Sequence, residues 1–203
     1  MGKNQSLIGK YAEAAQGWQE GLARLGYPEA YAALFRGAPA ADRVLDVGTG
    51  SGAFAEAFLA GRPAPERLDL VDPVAEMLEI AQTRLAPLTS EARAIRGGLG
   101  SAPVPEAGYD AVLCAHVVEH LDDPAGAVTW LASRVRPGGR LYLSVSRPHW
   151  CTALLRWVWG HRAYRPTQVT QMLTGAGLAG IELQRYPKGP PSRTSCGYRA
   201  LRP

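Results

Sequence analysis

Arg43-Val44-Leu45-Asp46-Val47-Gly48-Thr49-Gly50-Ser51-Gly52 is the stretch whose reading decides the fold. Apolar residues of strand character run straight into glycines at alternate positions. Ala53, Phe54, Ala55, Phe58 and Leu59 then supply the apolar side of a helix. Glycine lacks a Cβ, so the backbone can turn sharply there and come close to a ligand. The N–H groups at the start of the helix are left open to receive oxygen or carboxylate groups. A dinucleotide fingerprint would read G-x-G-x-x-G. This chain reads G-x-G-x-G, with an acid, Asp46, two residues ahead of the first glycine.

Three further segments extend the pattern. Leu68-Asp69-Leu70-Val71-Asp72-Pro73 reads as a second strand ending in an acid. Asp72 lies 20 residues beyond Gly52, where the second strand of a βαβ unit ends, and Pro73 is suited to open the next helix. Tyr109-Asp110-Ala111-Val112-Leu113-Cys114-Ala115-His116-Val117-Val118-Glu119-His120-Leu121 reads as a later strand and its turn. Leu131-Ala132-Ser133-Arg134-Val135-Arg136-Pro137-Gly138-Gly139-Arg140-Leu141-Tyr142-Leu143 reads as a helix, a Pro-Gly-Gly turn and a strand. In this order, across residues 43–145, the four segments resemble the class I, Rossmann-like S-adenosylmethionine (SAM)-dependent methyltransferases, in particular the type 11 small-molecule subgroup.

The resemblance implies an α/β fold: a three-layer sandwich with a seven-stranded, mostly parallel sheet and a C-terminal antiparallel hairpin. The chain itself reads the same way. Strands are expected at 43–47, 67–72, 92–96, 109–114 and 139–145, with helices at 52–60, 74–86 and 124–135. Thr167 is expected to cap a helix bearing Val169, Met172 and Leu173, and Gly180–Tyr186 and Cys196–Leu201 read as two last strands. At 203 residues the chain fits one domain, 1–203. Residues 1–38 form an N-terminal helical cap and 147–165 a Trp-rich insertion. In the cap, Leu7, Ile8, Tyr11, Ala15, Trp18, Leu22 and Leu25 recur at helical spacing, and Pro28 starts a second helix.

By resemblance, the cofactor is SAM and the product S-adenosylhomocysteine. The implied cofactor residues are Asp46, Gly48, Thr49, Gly50, Gly52, Asp72, Pro73, Met77, Gly98, Leu99, Ala115 and His116. Asp46 and the glycines would line the methionine part, and Asp72 the ribose. Two plainer readings stand beside these: Asp46 as a turn-capping acid, and Asp72 as an acid favoured by a helix dipole. The family often carries Gly-Asp after its third strand, the acid meeting the adenine amino group. Here the chain reads Arg96-Gly97-Gly98-Leu99-Gly100, and Gly98 stands where the acid is expected. Adenine would then rest on backbone near Leu99 and on Val74 or Met77.

Methyl transfer from a sulfonium needs alignment, and an acceptor hydroxyl or ammonium must also lose a proton. Histidine, with an ordinary pKa of about 6.5, suits that task. The candidate catalytic residues are His149, as the base, and His116, as a cofactor-wall or acceptor-orienting residue. Tyr11, Trp18, His149, Trp150, Trp157 and Tyr164 are the candidate substrate contacts. The 147–165 segment holds three of the five tryptophans. A lid over an apolar or aromatic acceptor, a dimer contact, and a peripheral membrane contact rimmed by Arg147, Arg156, Arg162 and Arg165 all remain open for it. His116, Glu119 and His120 also match a reversed zinc-protease spacing, but a strand-to-turn setting instead of a long helix argues against metal.

Composition narrows the partners. The net charge is +4 with arginines scattered, which favours a solvated basic surface over a nucleic-acid footprint. Three cysteines without metal-like spacing fit a reducing cytoplasm. The reading is therefore a cytoplasmic methyltransferase, monomeric or homodimeric, acting on a small lipophilic or aromatic acceptor. The alternatives are a SAM-binding interaction protein without catalysis, which the missing acid at Gly98 leaves open, and a nucleic-acid methyltransferase. Against the latter, the fourth strand lacks an Asn/Asp-Pro-Pro-Tyr signature.

Overall fold

The computed structural model describes residues 24–149 and 162–203. In chain order the elements are α1 (Tyr27–Phe35), β1 (Arg43–Val47), α2 (Ala53–Leu59), β2 (Arg67–Asp72), α3 (Ala75–Leu85), β3 (Ala92–Arg96) and β4 (Tyr109–Ala115). A 3-10 turn at Val118–His120 follows, then α4 (Pro124–Arg134), β5 (Val135–Ser146), α5 (Pro166–Gly175), β6 (Ala179–Arg185), the four-residue α6 (Pro191–Thr194) and β7 (Ser195–Leu201). The sheet order is β3-β2-β1-β4-β5-β7-β6. The first five strands are parallel, and β7 runs antiparallel between β5 and β6. This is the expected seven-stranded sheet with its C-terminal hairpin. The strand order reverses between β1 and β4, which places the switch point where Gly48 and His116 emerge.

The inner strands β1, β2, β4 and β7 and the second half of β5 bury both faces, consecutive side chains pointing to opposite sides, while the edge strands β3 and β6 are largely exposed. Leu45, Val47, Val71, Val112, Cys114 and Leu143 pack on the α4/α5 side. Val44, Leu68, Leu70, Leu113 and Tyr142 pack on the α1–α3 side. That second core is strongly aromatic: Phe35 meets Phe54, Phe58 and Tyr142 at centroid distances of 4.8, 5.2 and 5.3 Å. Burying one such ring contributes on the order of 1.5–3 kcal/mol, so Phe35, with the buried Tyr31 and Leu34 beside it, holds α1 against α2 and the sheet. Arg199 on β7 closes the C-terminal end of α1, donating from Nε to the Leu34 carbonyl at 2.7 Å and from Nη2 to the Arg36 carbonyl at 2.8 Å.

Several boundaries differ from the sequence reading. β5 begins at Val135 rather than 139: Tyr109 pairs with Val135 before the register jumps to Ala111 with Arg140, and the Pro-Gly-Gly segment bulges between. Pro73 does not open α3. Asp72 Oδ1 accepts the Val74 N–H at 2.9 Å, which keeps the chain extended until Ala75. Thr167 does not cap α5. Pro166 takes the first helical position, where a missing N–H costs nothing, so the cap falls on Arg165, whose N–H donates to Gln168 Oε1 at 2.8 Å.

Candidate active site

The carboxyl ends of β1, β2, β4 and β5 converge on one edge of the sheet. After β1, Gly48, Gly50 and Gly52 have φ values of 67°, 50° and 79°, the left-handed region that glycine enters without strain. Gly48 is also sterically required: a Cβ there would lie 2.2 Å from Val117 Cγ2. The turn is held from beneath by β2, since the Gly48 and Thr49 amides donate to the Val71 carbonyl at 2.8 and 3.1 Å.

Two acids flank this turn. Asp46 is 1% exposed; Thr49 Oγ1 donates to its Oδ2 at 2.7 Å, and its Oδ1 has no hydrogen-bond partner among the described residues. Burial pushes the Asp46 carboxyl up to about 7; the Thr49 hydroxyl works against this and the nearby Asp72 charge adds to it. Asp72, also buried, receives the Gly50 N–H on Oδ2 and the Val74 N–H on Oδ1, both at 2.9 Å. Burial raises its carboxyl, and the two amides pull it back part of the way. Each Asp72 oxygen therefore keeps a lone pair for a further donor.

Beyond β2, Val74 and Met77 form a small apolar cluster of their own, flanked by Ile80. Leu99 packs against the other, α4/α5-side core. The Gly98 carbonyl accepts the Ser101 and Ala102 amides at 3.1 and 3.0 Å, so this loop turns on itself where an acid was expected.

At the end of β4 the backbone turns left-handed at His116, with φ 57°; among described non-glycine residues only Ala107 shares this conformation. The His116 N–H donates to the Ser144 carbonyl at 2.9 Å. The Nδ1 atom lies 3.1 Å from Glu119 Oε1 and 3.2 Å from Ser146 Oγ, while Nε2 lies 3.2 Å from Ser144 Oγ. The Tyr186 hydroxyl donates to Ser144 Oγ at 2.8 Å, and the Tyr27 ring meets the imidazole edge-on at 5.4 Å. Glu119 is 2% exposed and also accepts the Ser146 N–H at 2.6 Å. Burial opposes its charge, but the His116 contact and the Ser146 amide outweigh this and hold the carboxyl below its ordinary value.

Along this edge meet a buried acid oxygen without a partner among the described residues, a glycine cradle, a second acid with open lone pairs, and an apolar shelf. A methyltransferase-domain family model matches residues 12–183. The chain belongs to this methyltransferase family. A ubiquinone biosynthesis O-methyltransferase of Xylella fastidiosa is 39% identical over 108 residues, covering 50% of this chain and 41% of that enzyme, so the chain spans less than half the length of that relative. Among solved structures, a SAM-dependent methyltransferase of Thermotoga maritima superposes with a TM-score of 0.76 at 16% identity, covering 98% of this chain and 99% of that one. The N-methyltransferase NodS of Bradyrhizobium japonicum, in complex with S-adenosylhomocysteine, gives 0.68 at 22% identity, covering 85% and 84%.

In this member of the family the expected cofactor residues Asp46, Gly48, Thr49, Gly50, Gly52 and Asp72 share one turn-and-strand edge, with Ala115 and His116 across the switch point. Met77 lies in the separate apolar cluster beyond β2. Pro73 takes part only through its carbonyl, which accepts from Arg96 Nε at 3.3 Å. His149 is half-buried, three residues past the end of β5. Tyr164 donates its N–H to the Ser146 carbonyl at 2.9 Å, and its buried hydroxyl has no partner among the described residues. Tyr11, Trp18, Trp150 and Trp157 lie outside the described residues, as does most of the 147–165 insertion. Its two ends are anchored: the Arg147 N–H donates to the Thr194 carbonyl at 2.7 Å, and the Arg162 N–H to the Glu119 carbonyl at 2.9 Å. Sequence reasoning missed Glu119, Ser144 and Ser146 as partners of His116, and Tyr186 as the donor to Ser144. The His-x-x-Glu spacing is the one signal of this contact in the sequence.

Proposed function

We propose that the chain binds SAM at this edge and transfers its methyl group to a small acceptor by in-line displacement, leaving S-adenosylhomocysteine. The observation that carries this reading is the pair of buried acids around the glycine turn. Asp46 offers a partnerless oxygen suited to the ammonium of the methionine part. Asp72 offers the lone pairs that two ribose hydroxyls need. The Val74–Met77 cluster supports an adenine held by apolar packing, which would compensate for the glycine at position 98. When bound, SAM supplies a methyl group already activated on a sulfonium. The protein's task is then orientation and exclusion of water. A cation placed beside Asp46 would return its carboxyl toward the ionised state, so the raised value belongs to the ligand-free site.

On the acceptor side, His149 is the base in this reading, and the acceptor is lipophilic or aromatic. Its neighbours would be Tyr164 and the aromatic side chains of Tyr11, Trp18, Trp150 and Trp157, with the insertion as a lid tied down at Thr194 and Glu119. Calorimetric titration of the purified chain with SAM, S-adenosylhomocysteine and NADH tests the cofactor assignment. Binding of both adenosyl compounds and not NADH is the expected result. A folded protein that binds neither would shift the reading to an interaction protein without catalysis.

A further inference from the structure

His116 follows β4 at the switch point, and both of its ring nitrogens already have partners. Glu119 Oε1 already accepts the Ser146 N–H at 2.6 Å, so toward His116 Nδ1, 3.1 Å away, that oxygen is again an acceptor. Nδ1 must then carry the proton. In the neutral ring this leaves Nε2 as an acceptor, so the Ser144 hydroxyl at 3.2 Å donates to it. Ser144 has one proton, so it accepts from the Tyr186 hydroxyl at 2.8 Å. One direction therefore runs through the whole chain: Tyr186 to Ser144 to His116 to Glu119. Ser144 is fully buried and Tyr186 nearly so. Burial also raises the Tyr186 phenol, which keeps it protonated and a donor.

The backbone supplies an independent observation. A histidine at φ 57° is strained, and such strain persists only where surrounding contacts over-determine it, a situation that concentrates at functional sites. Here the contacts are the His116 N–H to the Ser144 carbonyl and both ring nitrogens. Glu119 is also the point where the insertion returns, through the Arg162 N–H on its carbonyl.

We infer that Glu119 is a positioning residue: with Ser144 and Tyr186 it locks His116 as the Nδ1–H tautomer, so that His116 is an oriented wall of the acceptor site and not its base. The wall assignment rests on the methyltransferase reading; the tautomer lock does not. The ring then offers an acceptor only its C–H edge and face, beside the Tyr27 ring. A proton leaving the acceptor must go to another group.

The test is a long-range proton–nitrogen correlation spectrum of the ligand-free protein labelled at histidine nitrogen, with His116 assigned through His116→Asn. The expected spectrum has His116 protonated at Nδ1 and bare at Nε2. Glu119→Ala should move it to a mixture or to Nε2–H, while Glu119→Gln, which can keep an acceptor oxygen in place, should restore Nδ1–H. An Nε2–H ring in the wild type, or an unchanged ring in a folded Glu119→Ala, overturns the inference. If Glu119→Ala does not fold, Ser144→Ala decides, since losing the donor to Nε2 should let an Nε2–H signal appear beside Nδ1–H. An unchanged spectrum counts against the lock. S-adenosylhomocysteine affinity, measured on the same samples, tests the cofactor reading separately.

Discussion

Asp72 Oδ2 accepts the backbone N–H of Gly50 at 2.9 Å, tying the end of β2 to the glycine turn that follows β1. The acid is thus part of the glycine turn's own scaffold. Its other oxygen holds the Val74 amide and so sets the start of α3. A single carboxylate fixes the glycine turn, the following helix and the place where a ribose would be met.

Asp72→Ala is expected to weaken S-adenosylhomocysteine binding at least tenfold, about 1.4 kcal/mol. It should also lower stability by about 1–3 kcal/mol, because two amides lose a charged acceptor. Calorimetry and urea unfolding measure the two effects. Unchanged affinity in a folded variant would remove the ribose assignment.

Gly48→Ala should destabilise the protein for two separable reasons. Left-handed backbone costs an alanine about 1–2 kcal/mol, and the new methyl meets Val117 Cγ2 at 2.2 Å. Overpacking of that kind typically costs about 1–3 kcal/mol. Val117→Ala removes the second term only, so the double variant should be more stable than the sum of the single losses. Strict additivity in a double-mutant cycle would mean that the two residues do not meet as described.

The raised Asp46 carboxyl gives stability a pH dependence of definite sign. Between its ordinary value near about 4 and its folded value of about 7, the folded chain holds more protons than the unfolded one. The Asp46 contribution therefore falls as pH rises through that window and is level above it. Asp46→Asn, whose side-chain oxygen can still accept from Thr49, should gain on the wild type steadily from pH 4 to 7. Denaturant titrations at several pH values give the difference directly, and a flat difference would place the Asp46 carboxyl at its ordinary value.

His149→Ala should leave S-adenosylhomocysteine affinity within a few-fold and lower turnover of a responsive acceptor by about 10²–10⁴-fold, the range for losing a positioned base. If turnover survives, the proton leaves by another route or the acceptor carries none.

The architecture was legible because it is written locally. Strand runs such as Val44–Val47 and Leu68–Asp72 are apolar on both faces, and Gly48, Gly50 and Gly52 mark a turn no other residue type would enter without strain. Thr167 as a cap and Pro73 as a helix start follow from residue type alone, whereas one hydrogen bond each, at Arg165 and Val74, sets where the two helices begin. Glu119 was legible only as a spacing.

By itself, the sequence determined the order of strands and helices, the glycine turn and the acids Asp46 and Asp72 beside it, since these follow from backbone preference and apolar period along contiguous residues. Only the tertiary structure decided how those groups are used. It buried Asp46 with one oxygen lacking a partner among the described residues, set Val117 against Gly48, and joined His116 to Glu119 and Ser144, and Ser144 to Tyr186. These contacts bring together β4, β5 and the segment after β6, up to 70 residues apart in the chain. No local rule reports them, because they arise where strand ends meet and burial fixes hydrogen-bond direction and charge.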